Sequence, residues 1–212
     1  VFVVNPLLLE ATKLVVSFYN ENTLHLYYDI GRWEDVILNI SEKSHRQFHE
    51  TINDEVYRKN IVNLTPKFVK KFEKIIENNN GLNVKKDIAF VKAILIEARS
   101  NYYMIYNSDS KAFILTKRNF KGVMIIGHYT PVEILKDYFK GYEKVIELVH
   151  IHSAKKGEGR KMMKTILKFK KDLEIPIMLW AETDDNAHYF ENYGFKNYGR
   201  KGNEDEHLLI LK

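Results

Sequence analysis

Glu147-Leu148-Val149-His150-Ile151-His152-Ser153-Ala154-Lys155-Lys156-Gly157-Glu158-Gly159-Arg160-Lys161-Met162-Met163 is the stretch from which the rest of the chain is read. An apolar run enters a basic turn with two glycines, and a helix with apolar periodicity leaves it. The first amides of such a helix have no intrahelical partner and the helix dipole adds partial positive charge, so the turn suits a phosphate or pyrophosphate. Gly157 and Gly159 permit close backbone approach. Taken alone, the pattern equally describes a tight turn beside a solvated lysine face. Two phosphate loops do not fit. A dinucleotide-binding turn needs its first glycine earlier and an acidic residue about 20 positions on. A nucleoside-triphosphate loop needs Gly-Lys-Ser/Thr, whereas Arg160-Lys161 follows Gly159.

Downstream, Ile177-Met178-Leu179-Trp180-Ala181 reads as a strand, followed by Asn186-Ala187-His188-Tyr189-Phe190-Glu191-Asn192-Tyr193-Gly194-Phe195. By itself this is a short helix capped by Gly194 before another strand. The two segments together, in this order and at this distance, resemble the GNAT superfamily of acyl-CoA-dependent N-acyltransferases. That family has a strand, then Arg or Gln, two residues, Gly, one residue, Gly or Ala, and a helix, matched here by Ala154-Lys155-Lys156-Gly157-Glu158-Gly159. Its later helix ends in Tyr-Glu-x-x-Gly-Phe. The resemblance covers roughly residues 100–212. Two positions depart from it: Ala154 replaces Arg or Gln, and Phe190 replaces the tyrosine, with Tyr189 one residue away and about 100° around the helix.

The resemblance implies an α/β (α+β), GNAT-like fold. Its central sheet would be mixed and largely antiparallel, flanked by helices, with an additional amino-terminal strand hairpin and helices. Residues 1–85 would hold the hairpin and helices, and 86–212 the acyl-CoA-binding domain. Acetyl-CoA is implied as co-substrate, with its pyrophosphate at Lys155, Lys156, Gly157, Glu158, Gly159 and Arg160, its pantetheine arm along the backbone of Val149 and Ile151, and Asn186 in the same set. The activity implied is transfer of an acetyl group to an amine on a small molecule or protein. A backbone amide near Val149 would then stabilise the oxyanion formed on attack. The alternative, favoured by Ala154 and Phe190, is a GNAT fold kept as a protein-binding or regulatory module with weakened or lost catalysis.

An attacking amine must be neutral, so a general base is required, and the leaving thiolate benefits from an acid. Base candidates are Glu143 and Glu147, which share a strand face with Val149 by period-two spacing; His150 and His152 fall on the other face. Tyr189 is the candidate acid. Each of these residues also has an ordinary reading as a solvated, salt-bridged or structural side chain. His45 and His49 stand at metal-ligand spacing, but no third ligand accompanies them.

Upstream, residues 102–107, 112–117 and 122–129 read as an antiparallel meander. Thr130-Pro131-Val132-Glu133 has the form of a capping box opening a short helix to Lys140, and residues 145–152 form the next strand. A helix over residues 85–99 shows one apolar face; another is expected from Pro66 to Asn78, with Thr65 as N-cap and Pro66 at the first helical position. Residues 41–60 read as a mostly exposed helix, residues 13–19 and 23–30 as a hairpin, and 36–40 as a third strand. After the glycine turn come a helix to Lys171, a strand at 176–181, a helix at 186–193, and strands near Phe195 and at 207–211.

Of the 212 residues, 45% are apolar and 29% charged, an ordinary globular balance that argues against disorder. No apolar run approaches the ~20 residues that span a bilayer. The opening at residues 1–9 lacks the basic segment and cleavage site of a secretory signal and reads as a strand. The absence of cysteine excludes disulfides and thiolate sites, and fits a cytoplasmic location. A net charge of +5 points to an anionic partner, which is a nucleic acid, an acidic protein or a polyphosphate cofactor, although no nucleic-acid-binding motif is present. A homodimer is left open.

Overall fold

The computed structural model describes residues 45–78 and 85–212, and in it seven strands form one mixed sheet in the order β1-β2-β3-β4-β5-β7-β6. β1 (Tyr102–Asn107), β2 (Ala112–Lys117) and β3 (Gly122–Tyr129) are the expected meander, at the expected bounds. Its first turn is held by Asn107, whose Oδ1 accepts from the amides of Asp109 and Ser110 at 2.9 and 3.1 Å, the local bonding that makes Asn a turn residue. β4 (Val145–Ser153) runs antiparallel to β3 and parallel to β5 (Ile177–Ala181). β7 (His207–Leu211) pairs antiparallel with both β5 and β6 (Lys196–Arg200).

Cross-strand partners share a face of the sheet, so the register sorts the side chains. One face carries Phe113, Met124, Ile126, Ile146 and Leu148, and is covered by α3 (Lys85–Ser100) and α4 (Glu158–Leu173). Phe90 of α3, 2% exposed, makes ring contacts to Phe113 and to Phe169 of α4. The opposite face has two covers. A 3-10 helix, Glu133–Phe139, sets Leu135 and Phe139 against Val145, Met178, Leu208 and Ile210. α1 (His45–Asn53) and the start of α2 (Glu55–Asn78) cover the other part: the hydroxyls of Tyr57 and Thr116 bond at 2.7 Å, and the ring of His49 stands edge-on to His152. No helix among the described residues is long and apolar enough to cross a membrane.

The sequence expectation fails at three places, each for a physical reason. Residues 41–60 do not make one helix: the chain breaks at Asp54, whose Oδ1 accepts from the Tyr57 amide at 2.7 Å and so caps α2. Thr65-Pro66 does not start a helix, because α2 runs continuously through Pro66. The Thr65 hydroxyl is turned to another use, donating to Ile61 O at 2.7 Å and accepting from the Met104 amide of β1 at 2.8 Å. A helix thereby covers the open edge of the sheet. Thr130–Glu133 forms no capping box, since Val132 takes the cap position without a side-chain bond and the segment tightens into the 3-10 helix. The expected hairpin at 13–30 and strand at 36–40 lie outside the described residues.

Replacing Thr65 by Val keeps the shape but leaves the buried Met104 amide without an acceptor, a loss of roughly 1–3 kcal/mol. Thr65→Ser retains the oxygen and should stay within about 1 kcal/mol of the parent. Urea denaturation of the three proteins measures the difference, and equal stabilities of the Val variant and the parent would remove the strand-edge bond as a stabilising contact.

Candidate functional site

β4 is the hinge of the sheet. Its ladder to β3 pairs Gly127 with Glu147 and Ile126 with Leu148, then resumes with Ile125 opposite His150, leaving Val149 as an extra residue. Such a bulge bends its strand and reverses the side-chain alternation beyond it. On the other side, β4 pairs with β5 only at Ile146–Ile177 and Glu147–Met178. From there β4 follows β3 up to Ser153 while β5 follows β7 up to Ala181, so the two parallel strands part and a V-shaped gap opens between them.

Glu147 sits at the apex of this gap. The bulge corrects the face assignment made from period-two spacing. Partners Gly127, Ile125 and Val123 share one face of β3, so Glu147, His150 and His152 lie on one face of β4 rather than on opposite ones. Val149, 42% exposed, is the bulged residue itself. Glu143 does not lie in β4 at all; it is in the turn before it, lining a shallow surface depression with Pro131, Phe139 and Tyr142. Burial pushes the Glu147 carboxyl from the ordinary 4.5 up to about 7. Its charge also helps to raise the Tyr129 phenol, after burial, so Tyr129 stays protonated and donates to Ser110 O at 2.8 Å. The Tyr129 ring lies across Gly127, where a Cβ would overlap it. Trp180, on β5 two residues past the last β4 pairing, shares the Met178 face and is partly buried in the cluster beneath the 3-10 helix.

At the open end of the gap lies the glycine turn. Gly157 caps α4 with φ +89°, the left-handed region that favours glycine. Lys155, Lys156 and Arg160 are exposed around it. Glu158 turns inward instead: it is 4% exposed, and bonds to Lys161 at 2.8 Å, with Lys117 at 3.7 Å, hold its carboxyl below the usual range. The Gly159 amide donates to Ser153 Oγ at 3.1 Å, and that hydroxyl donates to Lys155 O at 2.8 Å. Ser153 thus staples the end of β4 to the start of α4.

α5 (Asp184–Glu191) closes the third side. Thr183 is its cap and accepts from the Asn186 amide at 3.2 Å, leaving the Asn186 side chain exposed. Phe190 is 7% exposed and packs on Phe195, so the position where the family places a phenol is a core contact here. The Tyr189 hydroxyl lies against Gly159, 3.2 Å from where a Cβ there would be, and 3.3 Å from the Tyr193 hydroxyl. Burial and the hydrogen bond shared with Tyr193 raise its pKa. Tyr189 is therefore a neutral phenol beside the glycine turn. Among the described residues, no group of three His, Asp or Glu side chains could hold a metal ion.

Residue spacing missed Ser153, Tyr129 and Trp180. Ser153 is six residues from the amide it binds, too far for a capping pattern. Gly127-His128-Tyr129 carried a trace of the second, a glycine two positions from an aromatic on one strand face.

The sheet order, the parting of β4 from β5 beside a bulge, and the glycine turn leading into α4 make the fold GNAT-like. No protein-family model matches the sequence, and no curated protein does. Among solved structures, PH1933 from Pyrococcus horikoshii OT3 is 21% identical with a TM-score of 0.36, over 49% of this chain and 66% of its own, just under two thirds of that protein. A structure described as histone acetyltransferase HPA2 and related acetyltransferase, from Corynebacterium glutamicum ATCC 13032, is 14% identical with a TM-score of 0.32, over 66% of this chain and 90% of its own.

A carboxyl whose folded pKa is raised binds its proton more tightly in the folded state than in the unfolded one. The stability that Glu147 confers is complete below about pH 4.5 and is lost as pH rises through about 7, by at most roughly 3 kcal/mol. Glu147→Gln should flatten that dependence between about pH 5 and pH 8, as read by urea unfolding at each pH. An unchanged slope would mean that Glu147 titrates normally.

Proposed function

We propose that this protein is an acyl-CoA-dependent N-acyltransferase that moves an acetyl group from acetyl-CoA to an amine on a small molecule or a protein. The observation that carries the reading is the V-shaped gap: a stretch of β4 backbone beyond Glu147 has no β5 partner, and it runs from the Glu147 carboxyl at the apex to a basic glycine turn at the mouth. Backbone polar groups along a parted strand need partners. An extended amide-bearing arm such as pantetheine supplies them, with Val149 and Ile151 as the strand contacts. Lys155, Lys156, Arg160 and the amides around Gly157 and Gly159 would then meet the pyrophosphate. Glu158 is assigned a structural part in this scheme, because its carboxylate is directed at Lys117 and Lys161.

Glu147 is the proposed general base. With a pKa near 7 it is poised to take a proton from an ammonium near neutrality, which frees the nitrogen lone pair for attack on the thioester carbon. A bulge amide near Val149 would donate to the oxygen on which negative charge develops. The C–S bond breaks as that charge collapses, the nitrogen gives up its second proton to water, and coenzyme A leaves as a thiolate. A free thiol has an ordinary pKa of about 8.5, so the thiolate can take its proton from water. Tyr189, beside the glycine turn, is assigned to the cofactor's phosphate end rather than to proton delivery. The buried Phe190 favours a second reading, a GNAT fold acting as a binding module with weak or no turnover.

Calorimetric titration with acetyl-CoA, with coenzyme A and ATP as controls, separates these readings. Acetyl-CoA and coenzyme A should bind and ATP much more weakly. Gly157→Asp should abolish binding, while Gly157→Ala, which carries the same backbone strain without the charge, should retain most of it. Failure of either coenzyme species to bind the parent protein would overturn the proposal. With an amine that supports thiol release, Glu147→Gln should lower kcat by about 10²–10⁴ and erase the rise in rate through pH 7, with acetyl-CoA affinity kept. Binding without release for any amine would favour the module.

A further inference from the structure

The charge of this protein is unevenly placed. α2, α3 and α4 carry six, four and six Lys or Arg residues against three, two and two Asp or Glu, an excess of nine cations where the whole chain has +5. These helices lie side by side. α3 sits between the other two, joined to α2 by the Arg99–Glu73 pair and approached from α4 by Lys168, 3.8 Å from Glu97. Each helix turns most of its apolar residues to the core and carries exposed cations: Lys67, Lys70 and Lys74 in a row on α2, Lys92 on α3, Lys164 and Lys171 on α4. Residues three or four apart on a helix fall on one side, about 4.5–6 Å along the axis. None of these six lysines has an ion-pair partner among the described residues, and all are exposed.

We infer that the outer face of α2, α3 and α4 is a docking surface for the phosphate backbone of a nucleic-acid duplex. Cations on neighbouring helices concentrate positive potential and match a polyanion. The aromatic content of the face distinguishes between polyanions. Every aromatic of these helices, Tyr57, Phe68, Phe72, Phe90 and Phe169, is buried in the core, so the surface offers no ring for stacking unpaired bases, as single-strand binders do. A protein partner would be met by a clustered apolar and aromatic anchor, but the exposed apolar side chains here are aliphatic and scattered along the helices, Ile75 on α2 and Ile96 on α3 among them. What remains is contact with backbone phosphates, independent of base sequence and strongly salt-dependent. Lys155, Lys156 and Arg160 are assigned to the glycine turn and are left unchanged in the test, so the inference is tested apart from the acyltransferase reading.

The test is fluorescence anisotropy with a labelled DNA duplex, the matching RNA duplex and the single strands, over roughly 50 to 200 mM salt. Duplex binding should weaken steeply with salt and exceed single-strand binding. Replacing Lys67, Lys164 and Lys171 together by Gln should lower the slope of log affinity against log salt by roughly three. A control triple, Lys136→Gln, Lys140→Gln and Lys201→Gln, removes the same charge from exposed positions on other elements and should leave the slope unchanged. Circular dichroism checks that both triples are folded. The DNA and RNA arms report which duplex is preferred. No duplex binding at the lowest salt, equal losses in both triples, or competition by polyglutamate as effective as by unlabelled duplex would each overturn the assignment.

Discussion

One extra residue in β4 shapes the rest of the molecule. A strand in the middle of a sheet normally bonds to a neighbour on each side along its length. The bulge at Val149 bends β4 so that it keeps β3 and loses β5 beyond Glu147. The gap that results is lined by main-chain donors and acceptors, and it widens toward the turn that launches α4. The same extra residue shifts the alternation of side chains, which brings Glu147, His150 and His152 to one face, beneath α1 and beside the 3-10 helix. Gap and face both follow from that single break in register.

Electrostatics divides the molecule along the plane of the sheet. On the helical side, Asp87 of α3 lies 2.8 Å from His128 Nδ1 of β3 and 3.5 Å from Lys144. Burial alone would raise that carboxyl, but His128 and Lys144 together hold it below its ordinary value, so the group is a tie between helix and sheet. Glu158 does similar work at the start of α4, where its buried carboxylate meets the helix dipole and two lysines. On the opposite face, Glu147 has no such partner to lower its pKa, and burial prevails. A structural carboxylate is paired; the one at the apex is left to titrate near neutrality.

The strands of the meander, α3, α4 and β7 were readable because each has a local signal: two-residue alternation, a turn formed by its own side chains, or an apolar stripe at helical spacing. Thr65-Pro66 misled because the capping rule is local, whereas the Thr65 hydroxyl is claimed by a backbone amide thirty-nine positions away. Thr130–Glu133 misled for a related reason. Packing of Leu135 and Phe139 beneath β5 and β7 fixes the path of that segment, whatever its end residues prefer. Ser153 and Trp180 left no trace, since their places depend on where β4 and β5 separate.

By itself, the sequence determined the order and type of most elements, the basic glycine turn, the lack of any thiol chemistry and the excess of cations on the helices. Those properties reside in composition and in neighbours a few residues apart. Tertiary structure alone decided that the alternation of β4 breaks at Val149, that Glu147 is half-buried at an apex while Glu158 is buried in an ion pair, that Tyr189 rests on Gly159, and that the lysines of separate helices lie beside one another. A bulge is a mismatch between two strands, a raised pKa is a loss of water around one group, and a charged face is a sum over neighbouring helices. Each is a relation between parts distant in the chain, and no local pattern encodes it.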